Sequence, residues 1–196
     1  MQHKIFRSSD TNVCKFVFEE KDIAVEAVLY RYNSYKERTV ICCSTQCGCP
    51  VGCAFCGTGK FFVRNLKAEE VVEQVNTALS YIDCDTNEIK KFQIMFMSMG
   101  EPFLNHQELQ QAIRILHSTY NNAQLLVSTS APKKMAQCFD AFIELSKEID
   151  KVGIQFSVHE SSDQSRKLLI PSATSSLKSI GEFGEKWAMA TGRKPF

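Results

Sequence analysis

The sequence predicts an α/β fold, with a parallel sheet and helices packed on its outside. Short apolar runs of strand length alternate four times with segments whose apolar residues recur at helical spacing. The run Phe92–Met97 is apolar almost throughout, as expected of a strand that is buried on both faces. Polar stretches follow directly after these runs, and the active sites of such sheets gather at the carboxyl ends of the strands.

The first predicted element is a β-hairpin that precedes this alternation. Val13–Phe18 and Ile23–Tyr30 are rich in β-branched and aromatic residues, and the polar segment Glu19–Asp22 between them predicts the turn. We therefore divide the 196 residues into an N-terminal hairpin extension, residues 1–36, and an α/β core, residues 37–196.

The core contains four predicted strands and four predicted helices. The strands are Thr39–Cys43, Phe92–Met97, Leu125–Val127 and Val152–Val158. The apolar stripes of the helices lie within Ala68–Leu79, Leu109–Leu116, Met135–Ile143 and Leu177–Ala190. Asn105 and Glu108 stand in capping-box register before the second helix, and Pro132 favours the start of the third.

Composition narrows the class of protein. A chain of 196 residues with 44% hydrophobic and 23% charged residues is typical of one globular domain. No apolar run has the length of a membrane span, and the first residues lack the apolar core of a signal peptide, so we expect a cytoplasmic protein with no membrane partner. The net charge of +1 gives little support for nucleic-acid binding. We interpret the basic pairs as solvated surface: Lys90-Lys91, Lys133-Lys134, Arg166-Lys167 and Arg193-Lys194.

The most informative feature is a cysteine loop, Cys49, Cys53 and Cys56, directly after the first core strand. The chain has nine cysteines, which in a reducing cytosol indicate metal ligands, catalytic thiols or core residues rather than disulfides. The C-x₃-C-x₂-C spacing allows one loop to hold a compact metal centre. A four-iron cluster usually has four cysteine ligands, so three leave one iron open to another ligand. Zinc is the alternative, with a fourth ligand from a neighbouring cysteine or a distant histidine.

Polar residues follow the other three core strands at the same end of the predicted sheet. They are Ser98–Pro102, Ser128–Ser130 and Ser157–His159. Because the carboxyl ends of parallel strands lie at one edge, we expect these segments to face the cysteine loop.

The cysteine spacing is similar to that of the radical S-adenosylmethionine (radical SAM) superfamily. More specifically, the chain resembles the RlmN/Cfr family, which methylates adenosine of large-subunit ribosomal RNA at carbon C2 or C8. The resemblance covers roughly residues 11–196 and is carried by Gln46–Lys60, Arg64–Leu66, Met99–Asn105, Ser128–Ser130, Ser157–His159, Asp163, Arg166 and Pro171.

The resemblance implies a partial (β/α)₆ radical SAM barrel with about four βα units, and a site for two cofactors. Cys49, Cys53 and Cys56 would bind a [4Fe–4S] cluster, whose open iron would bind S-adenosylmethionine. The residues implied to hold S-adenosylmethionine are Gly100, Glu101, Ser128, Ser157, Val158 and His159.

Two catalytic residues are also implied by the resemblance. Glu26 matches the family's proton acceptor, and Cys42 matches the thiol that resolves the methylated intermediate. Without the resemblance, Glu26 would be interpreted as an outward charge on a strand and Cys42 as a buried strand thiol.

The resemblance further implies an rRNA-processing methyltransferase. Its partners would be large-subunit ribosomal RNA, with transfer RNA as a second candidate, and an electron-donor protein. The family's methyl-carrying cysteine near the C-terminus has no counterpart in this sequence. We therefore expect a truncated chain, or one complemented by a separate C-terminal segment, that binds cluster and cofactor without completing methylation alone. Two other functions stay open: a small radical SAM protein with another substrate, and a non-catalytic zinc or iron–sulfur module.

Overall fold

A mixed β-sheet forms the centre of the structure, a computed structural model that describes residues 2–20 and 23–195. The strands are β1 (Gln2–Arg7), β2 (Val13–Glu20), β3 (Ile23–Tyr32), β4 (Arg38–Cys43), β5 (Gln46–Gly48), β6 (Phe62–Asn65), β7 (Lys91–Phe96), β8 (Gln124–Thr129) and β9 (Val152–Phe156). The helices are α1 (Ala68–Leu79), α2 (His106–Thr119), α3 (Phe139–Glu148), α4 (Asp163–Leu169) and α5 (Leu177–Thr191).

The main sheet has an antiparallel half and a parallel half. Within the described residues its strand order is β1-β2-β3-β4-β7-β8-β9, and β5 pairs with β6 in a small separate hairpin. The pairs from β1 to β4 are antiparallel, whereas β4, β7, β8 and β9 run parallel. Parallel neighbours need crossover connections, and here these contain α1, α2 and α3. The predicted α/β class is confirmed.

One hydrophobic core extends through both halves of the sheet. It contains the predicted stripes of α1 and α2 and reaches from Cys14 on β2 to Trp187 on α5. A smaller cluster lies on the opposite face of the sheet, because alternate residues of a strand point to opposite faces. Its buried members are Val28, Val40 and Cys42. In the described part of the chain, no helix is both long and apolar enough to cross a bilayer.

Among the described residues, the structure adds three strands and one α-helix that the sequence does not predict. β1 is an edge strand whose residues are mostly exposed, so it lacks the alternating pattern of a half-buried strand. β5, β6 and α4 have three, four and seven residues, too few to establish a periodicity. Within the predicted hairpin turn, Lys21 and Asp22 lie outside the described residues.

Two predicted boundaries are wrong. Pro132 precedes a short 3₁₀ turn, Lys133–Gln137, and α3 begins only at Phe139. β9 ends at Phe156, so Ser157 and Val158 follow the strand rather than belong to it.

α2 begins directly after Asn105, as predicted, but Asn105 makes no side-chain cap there. Its amide donates instead to the carbonyls of Thr45 and Leu66, at 2.8 Å each, and this ties α2 to the small hairpin.

Candidate functional site

Four segments meet at the carboxyl ends of the parallel strands and enclose a pocket of about 300 Å³, here called the rim pocket. They are the cysteine loop after β4, the stretch after β7, the end of β8 and the stretch after β9. The sequence-predicted residues that line the pocket are Cys49, Cys53, Cys56, Gly100, Glu101, Ser128, Ser157 and His159. The sheet therefore brings together residues that lie more than a hundred positions apart.

The three thiols of the cysteine loop are free and partly buried. Burial raises the pKa of Cys49 to about 11, and repulsion from Glu101 and the neighbouring thiols contributes. Burial also raises the pKa of Cys53. Because metals bind thiolates, a cation entering this pocket would displace the thiol protons.

The cysteine loop is attached on both sides to other elements. The Cys49 amide donates to the carbonyl of Phe61 at 2.8 Å, and the Ala54 amide donates to the carbonyl of Leu169 at 2.8 Å, at the end of α4. Gly48 permits the first contact, because it has φ of +79° and a Cβ there would lie 2.2 Å from the Phe61 oxygen. The loop is thus held by the small hairpin and by α4.

Glu101 forms the acidic wall of the rim pocket and is only 3% exposed. Its carboxylate accepts from the Thr129 hydroxyl at 2.6 Å, from the Ser130 amide at 2.8 Å and hydroxyl at 2.7 Å, and from the Phe103 amide at 3.2 Å. Burial raises the pKa of Glu101, although these bonds act in the opposite direction. All four donors are uncharged groups.

Gly100 and Gln46 fix the backbone next to this carboxylate. Gly100 has φ of +99°, and a Cβ there would lie 2.6 Å from the Gln46 Cβ. The Gln46 side-chain oxygen accepts from the Glu101 amide at 2.8 Å. A side chain at position 100 would therefore displace the residue that orients Glu101.

Arg166 joins three segments behind the rim pocket. It is 2% exposed and donates to the carbonyl of Val158 at 3.1 Å, to the Thr174 hydroxyl at 3.0 Å and to the carbonyl of Ser175 at 2.9 Å. It also donates to the carbonyl of Ser130, after β8. Burial lowers its pKa. The interpretation of Arg166 as solvated surface is therefore wrong, because backbone carbonyls and a hydroxyl replace its water.

The stretch after β9 supplies the far wall of the pocket. His159 has φ of +64°, and its ring centroid lies 4.6 Å from that of Phe55 in the cysteine loop. The hydroxyls of Ser128 and Ser157 are 3.1 Å apart. Val158 does not line the pocket among the described residues; its carbonyl instead accepts from Arg166.

Glu26 and Cys42 lie outside the rim pocket, on neighbouring strands of the sheet. Cys42 is paired in register with Val28, two residues from Glu26, so both side chains belong to the face opposite the main core. Glu26 is ion-paired with Lys15 at 2.7 Å. Burial raises the pKa of Cys42 to about 11.

Sequence reasoning did not assign Thr129 and Ser130, which hold the Glu101 carboxylate. Both belong to the same Ser-Thr-Ser segment as Ser128, and this polar segment after a predicted strand is the sequence feature that could have identified them. Which of the three adjacent hydroxyls bonds to Glu101 depends on the position of Glu101 in space, and the sequence pattern does not specify that position.

Among the residues that the structure describes, no group of three or more Cys, His, Asp or Glu side chains is arranged to hold a metal ion. The three cysteines of the loop all line the rim pocket.

Comparison with known proteins identifies relatives that cover most of this chain. It is 32% identical, over 95% of its length, to a protein from Nitrosopumilus maritimus named ribosomal RNA large subunit methyltransferase N, of which it covers 54%. Probable dual-specificity RNA methyltransferases RlmN are 35% identical over 80% of this chain in Desulfitobacterium hafniense and 34% identical over 86% in Thermus thermophilus. This chain covers 44% and 46% of those two proteins.

No protein-family model matches the chain. The chain spans about half the length of the curated relatives that it matches. The resemblance inferred from the motifs is confirmed over most of the sequence, and the chain is a homologue of the RlmN family of radical SAM RNA methyltransferases.

Proposed function

We propose that this chain binds a [4Fe–4S] cluster and S-adenosylmethionine in the rim pocket and forms the radical SAM core of an RNA methyltransferase. One observation carries the proposal: three cysteines of a single loop and a buried carboxylate line the same pocket. The names of the relatives indicate the reaction, which is methylation of RNA.

The number of thiols and the named relatives support a cluster over a single ion. A structural zinc site takes four protein ligands, whereas a cluster bound by three thiolates keeps one iron open. Cys49, Cys53 and Cys56 are the cysteines that line the rim pocket among the described residues, and the relatives are named RNA methyltransferases. Three protein ligands would leave the fourth iron to S-adenosylmethionine.

The charge of the rim pocket suits S-adenosylmethionine, whose ammonium and sulfonium groups are positive. No lysine or arginine lines the pocket in the described part of the chain, whereas Glu101 does. We assign Glu101 to the ammonium group, and Gly100 to the close approach of backbone and ligand. Ser128, Ser157 and His159 would hold the rest of the ligand. Val158 would instead fix the segment between Ser157 and His159 through its bond to Arg166. When bound, the cluster supplies the electron that cleaves the sulfonium and gives a 5′-deoxyadenosyl radical.

We also propose that Glu26 accepts a proton and that Cys42 resolves the methylated intermediate. Their shared sheet face supports this pairing of roles, because both could act on one substrate from the same side. The parallel strands β4, β7, β8 and β9 with their helices would form part of a (β/α)₆ barrel, and residues 1–36 its extension. Large-subunit ribosomal RNA or transfer RNA would be the substrate, with a cytoplasmic protein as electron donor.

Anaerobic reconstitution with iron and sulfide tests the proposal. We expect about four irons per chain, because a cubane contains four, and release of 5′-deoxyadenosine once S-adenosylmethionine and a reductant are added. Cys53→Ala should lose the cluster. Cys84→Ala is the matched control, because Cys84 does not line the rim pocket and should leave the iron content unchanged. About one zinc per chain without visible cluster absorbance would contradict the proposal and support a zinc module.

A further inference from the structure

A second cavity lies next to the rim pocket and has a volume of about 540 Å³. Val51 of the cysteine loop lines both spaces, so they are neighbours. The other walls come from the β5–β6 hairpin, from the segments that precede α2 and α3, and from the loop before α5. We call this space the lateral cavity. Its volume is within the range of about 300–1,000 Å³ that is typical of ligand sites.

The lateral cavity is electropositive. Lys133 and Lys134 line it together with His106, and no aspartate or glutamate does so among the described residues. Both lysines are exposed, and neither belongs to an ion pair in the described part of the chain. Two ammonium groups without a carboxylate nearby attract an anionic ligand.

The rest of the lining suits a planar group with hydrogen-bonding edges. Phe62 on β6 is 45% exposed, and the amides of Asn65 and Gln137 also line the space. Ser172 lines it as well, and its hydroxyl oxygen is buried without a hydrogen-bond partner among the described residues. Such a hydroxyl gains a bond when a polar ligand enters.

We propose that the lateral cavity binds a nucleotide unit, with its base against Phe62 and its phosphate at Lys133 and Lys134. An aromatic face beside lysines is the combination by which proteins hold single-stranded nucleic acid. That the nucleotide belongs to RNA rests on the proposed function; a free mononucleotide is the other source of the same chemistry. An RNA strand bound here would lie beside the cysteine loop.

Equilibrium binding of two probes tests the proposal: a labelled single-stranded oligoribonucleotide, and AMP. Both are measured on the full chain at several salt concentrations. The charge variant is Lys133→Ala with Lys134→Ala. We expect its RNA affinity to fall at least tenfold. Its salt slope should become less steep by about 0.7, since the two lysines hold one phosphate and each phosphate contact to a single strand contributes about 0.7.

Two further variants separate stacking from general charge. Phe62→Ala should weaken RNA binding about tenfold with the salt slope unchanged, because base stacking is not an ionic contact. Lys90→Ala with Lys91→Ala is the matched control. It removes the same charge at the start of β7, the opposite end of the strand from the rim, and should leave affinity unchanged.

The probes distinguish the sources. If the cavity variants bind RNA more weakly and the control does not, the lateral cavity is an RNA site. If the unaltered chain binds AMP but no RNA, and the cavity variants bind AMP more weakly, the ligand is a free nucleotide. Equal loss in the control, or binding of neither probe, overturns the proposal. Iron content and S-adenosylmethionine cleavage are measured on the same variants. They should be unchanged, so failure of the rim pocket would be seen separately.

Discussion

Glu101 is a buried carboxylate whose hydrogen bonds, among the described residues, come from uncharged groups. The hydroxyl of Thr129, the amide and hydroxyl of Ser130 and the amide of Phe103 satisfy its two oxygens. Burial still raises its pKa, so the loss of water outweighs the four bonds. A cationic ligand in the rim pocket would stabilise the ionised form, and the proposed ammonium of S-adenosylmethionine has that charge.

Glu101→Gln tests this balance with little change of shape. The neutral amide removes the attraction to a cation and places a donor against the hydroxyl donors. We expect S-adenosylmethionine to bind at least tenfold more weakly, a loss of about 1.4 kcal/mol, while iron content after reconstitution stays unchanged. The measurement is anaerobic equilibrium binding to the reconstituted protein.

The control for this substitution is Glu69→Gln, on the exposed surface of α1. It changes the net charge equally and should bind S-adenosylmethionine as the unaltered chain does. If the two variants bound equally well, Glu101 would have no part in holding the cofactor.

The sequence predicts a residue's place in the rim pocket where that residue follows a predicted parallel strand. Cys49, Glu101 and Ser157 each follow a parallel strand, and such strands end at one edge. Arg166 was not predictable, because its burial depends on partners contributed by residues before and after it in the chain. Local sequence shows a basic pair and gives no sign of those acceptors.

At the scale of elements, the start of α1 is capped in an unusual way. Its N-cap residue is Lys67, which has no acceptor atom in its side chain. The Glu70 carboxylate accepts from the Lys67 amide at 2.8 Å and from Arg64 at 2.7 and 2.6 Å. Glu108 at the start of α2 accepts from the Ala68 amide at 2.8 Å. α2 therefore lacks the predicted capping box, because the Glu108 carboxylate is bonded to the first residue of α1 instead.

Lys67→Thr should stabilise the protein. The backbone of Lys67 already has the extended N-cap conformation, with φ of −74° and ψ of 158°, so a threonine hydroxyl can accept from an amide of the first turn without rearrangement. We expect the free energy of unfolding to rise by about 0.5–1 kcal/mol, measured by urea denaturation. Lys67→Ala removes the same charge without adding an acceptor and should give no gain. Equal stability of the two variants would show that the cap is already satisfied.

Prediction of elements succeeded where the chain repeats a pattern for more than two turns. The stripes of α1 and α2 have this length, and every predicted position of α2 is buried. The β5–β6 hairpin instead depends on contacts at a distance, among them the bond from Asn105 to the carbonyl of Thr45. Its strands are too short for local periodicity to identify them.

At the scale of the whole molecule, the hairpin extension and the parallel half share one core. β4 pairs antiparallel with β3 on one side and parallel with β7 on the other. The same hydrophobic cluster includes Cys14 of the extension and Trp187 of α5. Neither half could lose its structure without exposing apolar side chains of the other, so we expect the two to unfold together.

Two probes at opposite ends of the sheet test this expectation. Trp187 is the single tryptophan and is 1% exposed, so its fluorescence reports unfolding of the C-terminal part. Cys14 is 5% exposed, so its labelling by a thiol reagent, followed by peptide mass spectrometry, reports unfolding of the extension. We expect coincident urea midpoints for both probes. Leu29→Val on β3 removes one buried methylene and should lower both by the same amount, equivalent to about 1 kcal/mol. A Trp187 transition that did not move in this variant would show that residues 1–36 unfold as a separate unit, because only an independent extension could lose stability without α5 responding.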